Sequence, residues 1–420
     1  MADIAATESE LLRTSDGRPL KEALAQAQSK AKWRAFMLVV PLLTFILVTF
    51  VSPIIQVLHQ SVFNDKFSSN MPEIGAWFEA NPLGTEPDEA AFTALVNDLI
   101  SSAKARNVAV AGERVNYEMP GTRSLFTKAG REAKKLEPPF MQSLVALDST
   151  WASPELWGVM RRVSHGYTGD FYLAAVDLER SADGSIQQVP ENERVYVNLF
   201  VRTFVLSAGI TVACLILGFP IAFLLSTLPM RYSSLLMILV LLPFWTSLLV
   251  RTTSWMVLLQ SQGVVNSLMI WAGIIADDQR LVMINNLLGT VIAMTHILLP
   301  FMILPLYSVM KPIPPSYVRA ARSLGATSWT AFRRVYLPQT IPGIGAGGLL
   351  VFILSVGYYI TPALVGGASG QLISNLIAFH VNKSNNWSLA AALATILLAS
   401  ILLLYWLYDR LVGIDKLKLG

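Results

Sequence analysis

Side chains able to do covalent chemistry are few and scattered in this sequence. The histidines, His59, His165, His296 and His380, have no metal-ligand spacing. Cys214, the single cysteine, lies in an apolar run, so neither an intrachain disulfide nor a cysteine-based metal cluster can form. There is no G-x-x-x-x-G-K-S/T, no H-E-x-x-H and no G-x-S-x-G, hence no P-loop for ATP, no zinc-binding helix and no serine elbow. No cofactor and no metal are expected, and no enzymatic step is assigned to the chain. His296 could relay a proton, but a hydrogen bond to a neighbouring helix is the simpler reading. The remaining candidates are aromatic. Trp245, Trp255, Tyr358 and Tyr359 stand in or beside apolar runs near Pro243 and Pro362. Each such ring can offer a cation about 0.5 to 2 kcal/mol, which suits guidance of a partly hydrated amine. Packing, or a belt at the membrane interface, is the competing reading of the same rings.

The elements that must hold these rings are membrane spans. Of the 420 residues 53% are hydrophobic and 14% charged, and the mean hydropathy is +0.51. Unbroken apolar runs of about 20 residues exclude a soluble globular enzyme. Six spans are predicted: Phe36 to Leu58, Leu199 to Leu228, Leu235 to Leu258, Leu287 to Met310, Ile341 to Val365, and Trp387 to Tyr408. An even number puts both termini on one side. The segments on that side carry fifteen Lys and Arg, against two in the short opposite loops, Arg280 and Lys383. That bias predicts cytoplasmic termini. The first span follows Lys30, Lys32 and Arg34 but has no small-residue cleavage site after it, so it reads as a retained anchor. Residues Pro19 to Ala31 ahead of it read as a solvated helix. Prolines at 41, 53, 220, 243, 300, 305 and 362 predict kinks, and Gly343, Gly345, Gly347 and Gly348 predict close helix approach to the fifth span.

Charge is unevenly shared along the chain. Residues 59–198 hold 13 Lys and Arg and 19 Asp and Glu, so the net +4 is the sum of an acidic segment and a basic remainder. A basic remainder beside apolar spans speaks for membrane orientation and not for nucleic acid. The predicted division is a cytoplasmic tail at 1–35, a first span at 36–58, a periplasmic insert at 59–198, a helical core at 199–408 and a second cytoplasmic tail at 409–420. Within the insert, Glu86 to Arg106 reads as a helix with Phe92, Leu95, Val96 and Leu99 on one face, and Phe171 to Val189 reads as a hairpin about Asp183-Gly184. An α+β insert is therefore expected in an otherwise all-α polytopic membrane protein.

The loop from Lys311 to Gly343, KPIPPSYVRAARSLGATSWTAFRRVYLPQTIPG, is the most specific segment. Pro314 and Pro315 should stop the fourth span, with Ser316 capping a short helix. Tyr317, Ala320, Ala321 and Leu324 share one face, and Gly325 can take the left-handed conformation that ends the helix. A second short helix, capped by Thr327, places Trp329, Phe332 and Val335 together and should end at Leu337-Pro338. With Arg319, Arg322, Arg333 and Arg334 the pair forms a knob suited to a groove on another protein.

This segment resembles the EAA loop of inner-membrane permeases of ATP-binding-cassette importers, E-A-A, three residues, G, nine residues, I-x-L-P. The matching residues are Ala320, Ala321, Gly325, Leu337 and Pro338, with Val335 in place of Ile; Arg319 stands where the family has Glu. On a helix capped by Ser316, a Glu at 319 would complete a capping box and Arg cannot. Together with Leu241 to Asn266 and Gly357 to Gly367, the loop is similar to the first permease of spermidine/putrescine-type transporters from about Val197 to Tyr408. The resemblance implies the type I permease fold with six transmembrane helices in a bacterial inner membrane, and ATPase coupling through a loop at 311–340 that includes Arg319, Ala320, Ala321, Gly325, Trp329, Phe332, Leu337 and Pro338. It also implies the partners: a second permease subunit, two copies of a cytoplasmic ATPase, a periplasmic solute-binding protein and membrane lipid. The insert is longer than the family's loop and is not explained by it. A polyamine-like solute is expected, with an opine, an amino-acid derivative or a quaternary amine as alternatives; a membrane-anchored sensor or enzyme is the competing class. None of the spans contains Asp or Glu, so for an anionic solute Arg202 and Arg251 would be the better pathway residues.

Overall fold

The computed structural model describes residues 20–412 apart from 83, 182 and 183. Residues 1–59 and 60–420 form two units. In the first, α1 (Leu20–Ile46) passes through a π-helical turn (Leu47–Val51) into α2 (Ser52–Gln60). The separate helix expected at Pro19 to Ala31 is thus, from Leu20 onward, the start of the same helix as the first span; Pro19 lies outside the described residues. The π turn ends two residues before Pro53. A proline ring clashes with the carbonyl four residues back, here Thr49, and widening the preceding turn moves that carbonyl aside.

The second unit opens with the insert, which is helical: α3 (Pro72–Ala80), α4 (Glu89–Ala105), α5 (Val108–Asn116), α6 (Thr122–Glu132), α7 (Phe140–Leu147), α8 (Pro154–Val163) and α9 (Asp170–Ala175). The periodicity of the Glu86 to Arg106 segment translates directly into α4. Asp88 caps it by accepting from the Ala91 N–H at 2.9 Å, Arg106 ends it at φ +63°, and Phe92, Leu95, Val96 and Leu99 are fully buried. These four pack with Phe67, Phe126, Trp151, Leu156, Trp157 and Met160 in a core of the insert's own. The expected α+β character is reduced to one antiparallel pair, β1 (Leu178–Arg180) and β2 (Ile186–Gln188), in which Leu178 faces Gln188 and Arg180 faces Ile186. Gly184 turns it at φ +85°; Asp183 lies outside the described residues. The first strand is short because Phe171 and Ala175 bury themselves on a helical face instead.

Two polar joints tie the insert to the helices that follow. The Asp177 carboxylate accepts from the backbone N–H groups of Val195, Tyr196 and Val197 at 3.0, 3.0 and 2.8 Å, capping α10 (Tyr196–Thr227). Lys66 Nζ donates to Glu113 Oε1 at 3.1 Å, to Tyr117 Oη at 2.9 Å and to the carbonyl of Asn385 at 3.5 Å, while the single Tyr117 hydroxyl proton is shared between Glu113 Oε1 at 2.9 Å and that carbonyl at 2.8 Å. Burial raises the Glu113 carboxyl, but the bonds from Tyr117 and Lys66 outweigh it and hold the group below the usual carboxylate range.

The remaining helices are α11 (Met230–Leu241), α12 (Leu248–Leu258), α13 (Val264–Trp271), α14 (Leu287–Met310), α15 (Pro315–Ser323), α16 (Ser328–Ala331), α17 (Leu337–Gly357), α18 (Ile360–Val365), α19 (Ile373–Asn382) and α20 (Trp387–Val412). Among the described residues five helices are long and apolar enough to cross a membrane, and a sixth candidate is a broken pair. The correction falls on Leu235 to Leu258. A 3-10 turn at Leu242–Trp245, with Pro243 inside it, separates α11 from α12, and the two meet at 96°. By contrast Pro41, Pro220, Pro300 and Pro305 lie within continuous helices. The run Ile341 to Val365 is also interrupted: α17 stops at Gly357, and α18 starts after Tyr358 and Tyr359.

α14 is the most buried of these helices, packed by α10 and α17 around Ile210, Cys214, Met294, Leu298, Met302 and Leu306. The glycines of α17 make the approach possible. A Cβ on Gly343 would meet Val309 at 3.0 Å and one on Gly347 would meet Met302 Sδ at 2.9 Å, both on α14; one on Gly345 would collide with Tyr408 of α20.

Candidate functional site

Of the four aromatics singled out in the sequence, three stand at the two helix breaks. Trp245 ends the 3-10 turn and is 88% exposed; Tyr358 and Tyr359 link α17 to α18, the first half-buried and the second exposed. Trp255, on α12, donates from Nε1 to His296 Nδ1 of α14 at 3.0 Å. The hydrogen-bond reading of His296 therefore holds. Beside it, Thr252 and Thr361 share a buried hydroxyl contact of 3.1 Å that ties α12 to α18. Arg251 lies within electrostatic reach of His296 and Tyr358, and its buried Nε has no hydrogen-bond partner among the described residues.

Breaks in spans can expose carbonyls to a passing cation, but here the freed groups are largely consumed. The carbonyl of Tyr358 accepts from Ser374 Oγ at 2.6 Å, that of Tyr359 from Asn375 Nδ2 at 2.7 Å, and that of Pro243 from Thr246 Oγ1 at 2.8 Å. Ser374 and Asn375 carry no periodic or motif signal, so only the fold shows their role.

The knob differs from its expected form at both ends. Pro315 occupies the first turn of α15, the N-cap residue is Pro314, and no side chain caps the helix, so Ser316 is inside it and Arg319 is beyond the position where a capping box closes. Gly325, at φ +90°, ends α15 in a Schellman turn: its N–H donates to Arg322 O at 3.0 Å and that of Ala326 to Ala321 O at 3.1 Å. Thr327 caps α16 as expected, accepting from the Thr330 N–H at 3.2 Å. The second short helix does not stop at Leu337-Pro338. A π turn at Phe332–Tyr336 precedes Pro338 as another precedes Pro53, and α16 runs into α17 as one 30-residue rod, Ser328–Gly357.

Phe332 is half-buried. It packs edge-on against Phe219 and Phe223 of α10, and with Ile313, Val318 and Tyr336 it fixes the knob to the bundle. Tyr317, Leu324 and Trp329 remain outside at 51, 89 and 68% exposure. Arg319, Ala320 and Pro338 are exposed as well, while Ala321 and Leu337 are half-buried.

The bundle, with its glycine-lined fourth long helix, broken span and projecting knob, is that of a helical polytopic membrane protein. The model of the binding-protein-dependent transport system inner membrane component family matches residues 214–413. The spermidine/putrescine transport system permease protein PotB of Haemophilus influenzae is 36% identical over 222 residues, covering 52% of this chain and 77% of its own. Its Escherichia coli counterpart is 35% identical, covering 52% and 80%. The inner membrane ABC transporter permease protein YdcU of Escherichia coli is 33% identical over 234 residues, covering 52% and 73%. A chain from the crystal structure of a bacterial alginate ABC transporter in complex with its alginate-bound periplasmic protein is 18% identical, with a TM-score of 0.43 over 54% of this chain and 81% of that one. The chain belongs to the binding-protein-dependent inner-membrane permeases of ABC importers.

Proposed function

We propose that this permease forms half of the translocation pathway for a polyamine-like solute and couples it to a cytoplasmic ATPase through the knob at 311–340. The observation that carries the solute class is the identity to PotB over more than three quarters of that protein's length. With no Asp or Glu in the spans, this subunit supplies a weak aromatic wall of Trp245, Trp255, Tyr358 and Tyr359, and the stronger anionic groups come from the second permease. The fifteen-to-two distribution of Lys and Arg supports cytoplasmic termini at 1–35 and 409–420, with the core at 199–408 between them.

On that topology the insert at 59–198 is periplasmic and meets the solute-binding protein. Its rigid joints, Asp177 to the start of α10 and Tyr117 to Asn385, fit a platform that transmits docking to α10 and α20. Replacing it with a short linker should weaken uptake at low binding-protein concentration and leave ATPase attachment intact. Unchanged uptake would reject the docking role.

The unpartnered Nε of Arg251 favours a second reading, a solute that carries a carboxylate, such as an opine or amino-acid derivative. Uptake of labelled putrescine and spermidine by the reconstituted transporter, set against amino-acid derivatives, decides between them. Saturable uptake of the diamines supports the polyamine reading; transport of the carboxylate solutes alone overturns it and makes Arg251 the contact.

A further inference from the structure

The knob's charge is one-sided. Between Lys311 and Gly343 the sequence has five basic side chains and no Asp or Glu, and no acid occurs from Gln279 to Tyr408. Arg319, Arg322, Arg333 and Arg334 are all exposed, and none has an ion pair or side-chain hydrogen bond among the described residues. Four unpaired guanidinium groups on two adjoining helix turns repel one another, a cost that a partner's carboxylates would remove.

Their placement tells what shape that partner has. α15 is fastened beneath through Val318, so a partner can reach only its outer arc. At 3.6 residues per turn, Tyr317 and Leu324 lie on one side of this arc, Arg319 and Arg322 on the other, with Ala320 and Ser323 along the crest. The small crest residues let a neighbouring backbone approach closely. A lipid surface fits this arc poorly. Membrane-surface helices bury a continuous apolar stripe with the cations on the opposite face, whereas the outer arc of α15 and its C-cap offers two large apolar groups, Tyr317 and Leu324, separated by alanines. The rod Ser328–Gly357 is also about 45 Å long at 1.5 Å per residue, some 15 Å more than a hydrocarbon core, which carries Trp329, Arg333 and Arg334 beyond the acyl chains.

We infer that the knob seats in an ATPase groove with one apolar wall, for Tyr317, Leu324 and Trp329, and one acidic wall whose carboxylates pair with Arg319 and Arg322. This rests on the ATPase-docking reading above and makes it specific: a glutamate at 319 would face carboxylates, so Arg319 marks a reversed charge pairing and is not a neutral replacement.

The test uses the full transporter purified through a tag on this permease, with retained ATPase measured between 50 and 500 mM salt. Arg319→Lys with Arg322→Lys should hold the ATPase at low salt. Arg319→Glu with Arg322→Glu should lose it at least tenfold at low salt while the permease stays inserted and monodisperse. Leu324→Asp, which spoils the apolar wall without touching the arginines, tests docking itself. Loss in Leu324→Asp with retention in the glutamate pair leaves docking standing and overturns the acidic wall. Retention in both overturns docking at the knob. Retention of the ATPase by the glutamate pair together with loss of bound phosphatidylglycerol would assign the arginines to lipid and likewise overturn the inference.

Discussion

Trp255 and His296 hold the broken span against the central helix through one bond, Nε1 to Nδ1 at 3.0 Å. Because the indole can only donate, the accepting Nδ1 carries no proton, and the imidazole in this arrangement is neutral with its hydrogen on Nε2. Trp255→Phe keeps the ring and deletes the donor. A hydrogen bond of this kind contributes about 0.5 to 1.5 kcal/mol, so uptake should fall a few-fold while basal ATPase activity persists. Uptake at the wild-type rate in both Trp255→Phe and His296→Ala would show that the pair has no part in transport.

Much of this arrangement could be read in the sequence, for definite reasons. Hydropathy locates the spans because lipid leaves helices few alternatives, and the periodicity of Phe92, Leu95, Val96 and Leu99 locates α4 because a buried face repeats at 3.6 residues. Gly325 and Thr327 act locally, and their roles follow from their type. The break at Pro243 was not legible as a 96° bend, since Pro300 and Pro305 have the same chemistry inside an unbroken α14. Nor was the continuity across Pro338, which depends on a π turn that has no residue signature. Ser374 and Asn375 become informative only through the residues that tertiary packing brings beside them, and Arg251, legible as a charge within a span, gains His296 and Tyr358 as neighbours only there.

The insert carries a carboxylate that responds to pH in the unusual direction. Asp98 is fully buried and accepts from the N–H groups of Glu73 and Ile74 at 3.1 and 2.8 Å. Desolvation outweighs those two bonds and pushes its pKa up from 3.8 to about 6. Between about pH 4 and 6 the folded insert binds a proton that the unfolded chain releases. This contribution is therefore fully present below pH 4 and is lost as pH rises through 6, a change on the order of 3 kcal/mol. Glu113 and Asp148, held below the ordinary range, act oppositely near their own lower values. The wild-type unfolding temperature minus that of Asp98→Asn should therefore grow as pH drops from 7 to 4.5. A flat difference would refute the assignment.

The glycines of α17 allow a graded test of helix approach. Gly347 has Met302 Sδ and the Met302 carbonyl at 2.9 and 3.1 Å from where a Cβ would stand, whereas Gly357 has nothing within 4 Å. Gly347→Val should force α14 and α17 apart at a cost of about 1 to 3 kcal/mol, seen as a lower unfolding temperature in detergent. Gly357→Ala should be neutral in the same assay. Equal behaviour of the two variants would mean that close packing on α14 is not what position 347 requires.

Asp177 tests whether the insert is rigidly joined to the core. It satisfies three of the four N–H groups that the start of α10 leaves without helical partners. Asp177→Ala should cost about 0.5 to 2 kcal/mol and increase proteolysis between β2 and α10, with Asp177→Asn intermediate because its amide still accepts. Wild-type protease resistance in Asp177→Ala would mean that the apolar contacts and the joint at Lys66, Tyr117 and Asn385 hold the insert without this cap.

Gly325 separates the conformational demand of the knob from its steric one. A Cβ there would meet no atom within 4 Å, so space does not select glycine; the φ of +90° does. A β-branched side chain at positive φ costs more than an unbranched one, while Asn tolerates the left-handed region. Gly325→Asn should therefore keep transport close to wild type, and Gly325→Val should lose coupling, since release of the Schellman turn lets α15 extend and carries Leu324 and Trp329 out of register. Uptake and solute-stimulated ATPase activity, measured together, distinguish this from failed insertion, which would remove both from the membrane fraction. If Gly325→Val and Gly325→Asn transport equally well, the left-handed turn does not set the geometry of the knob.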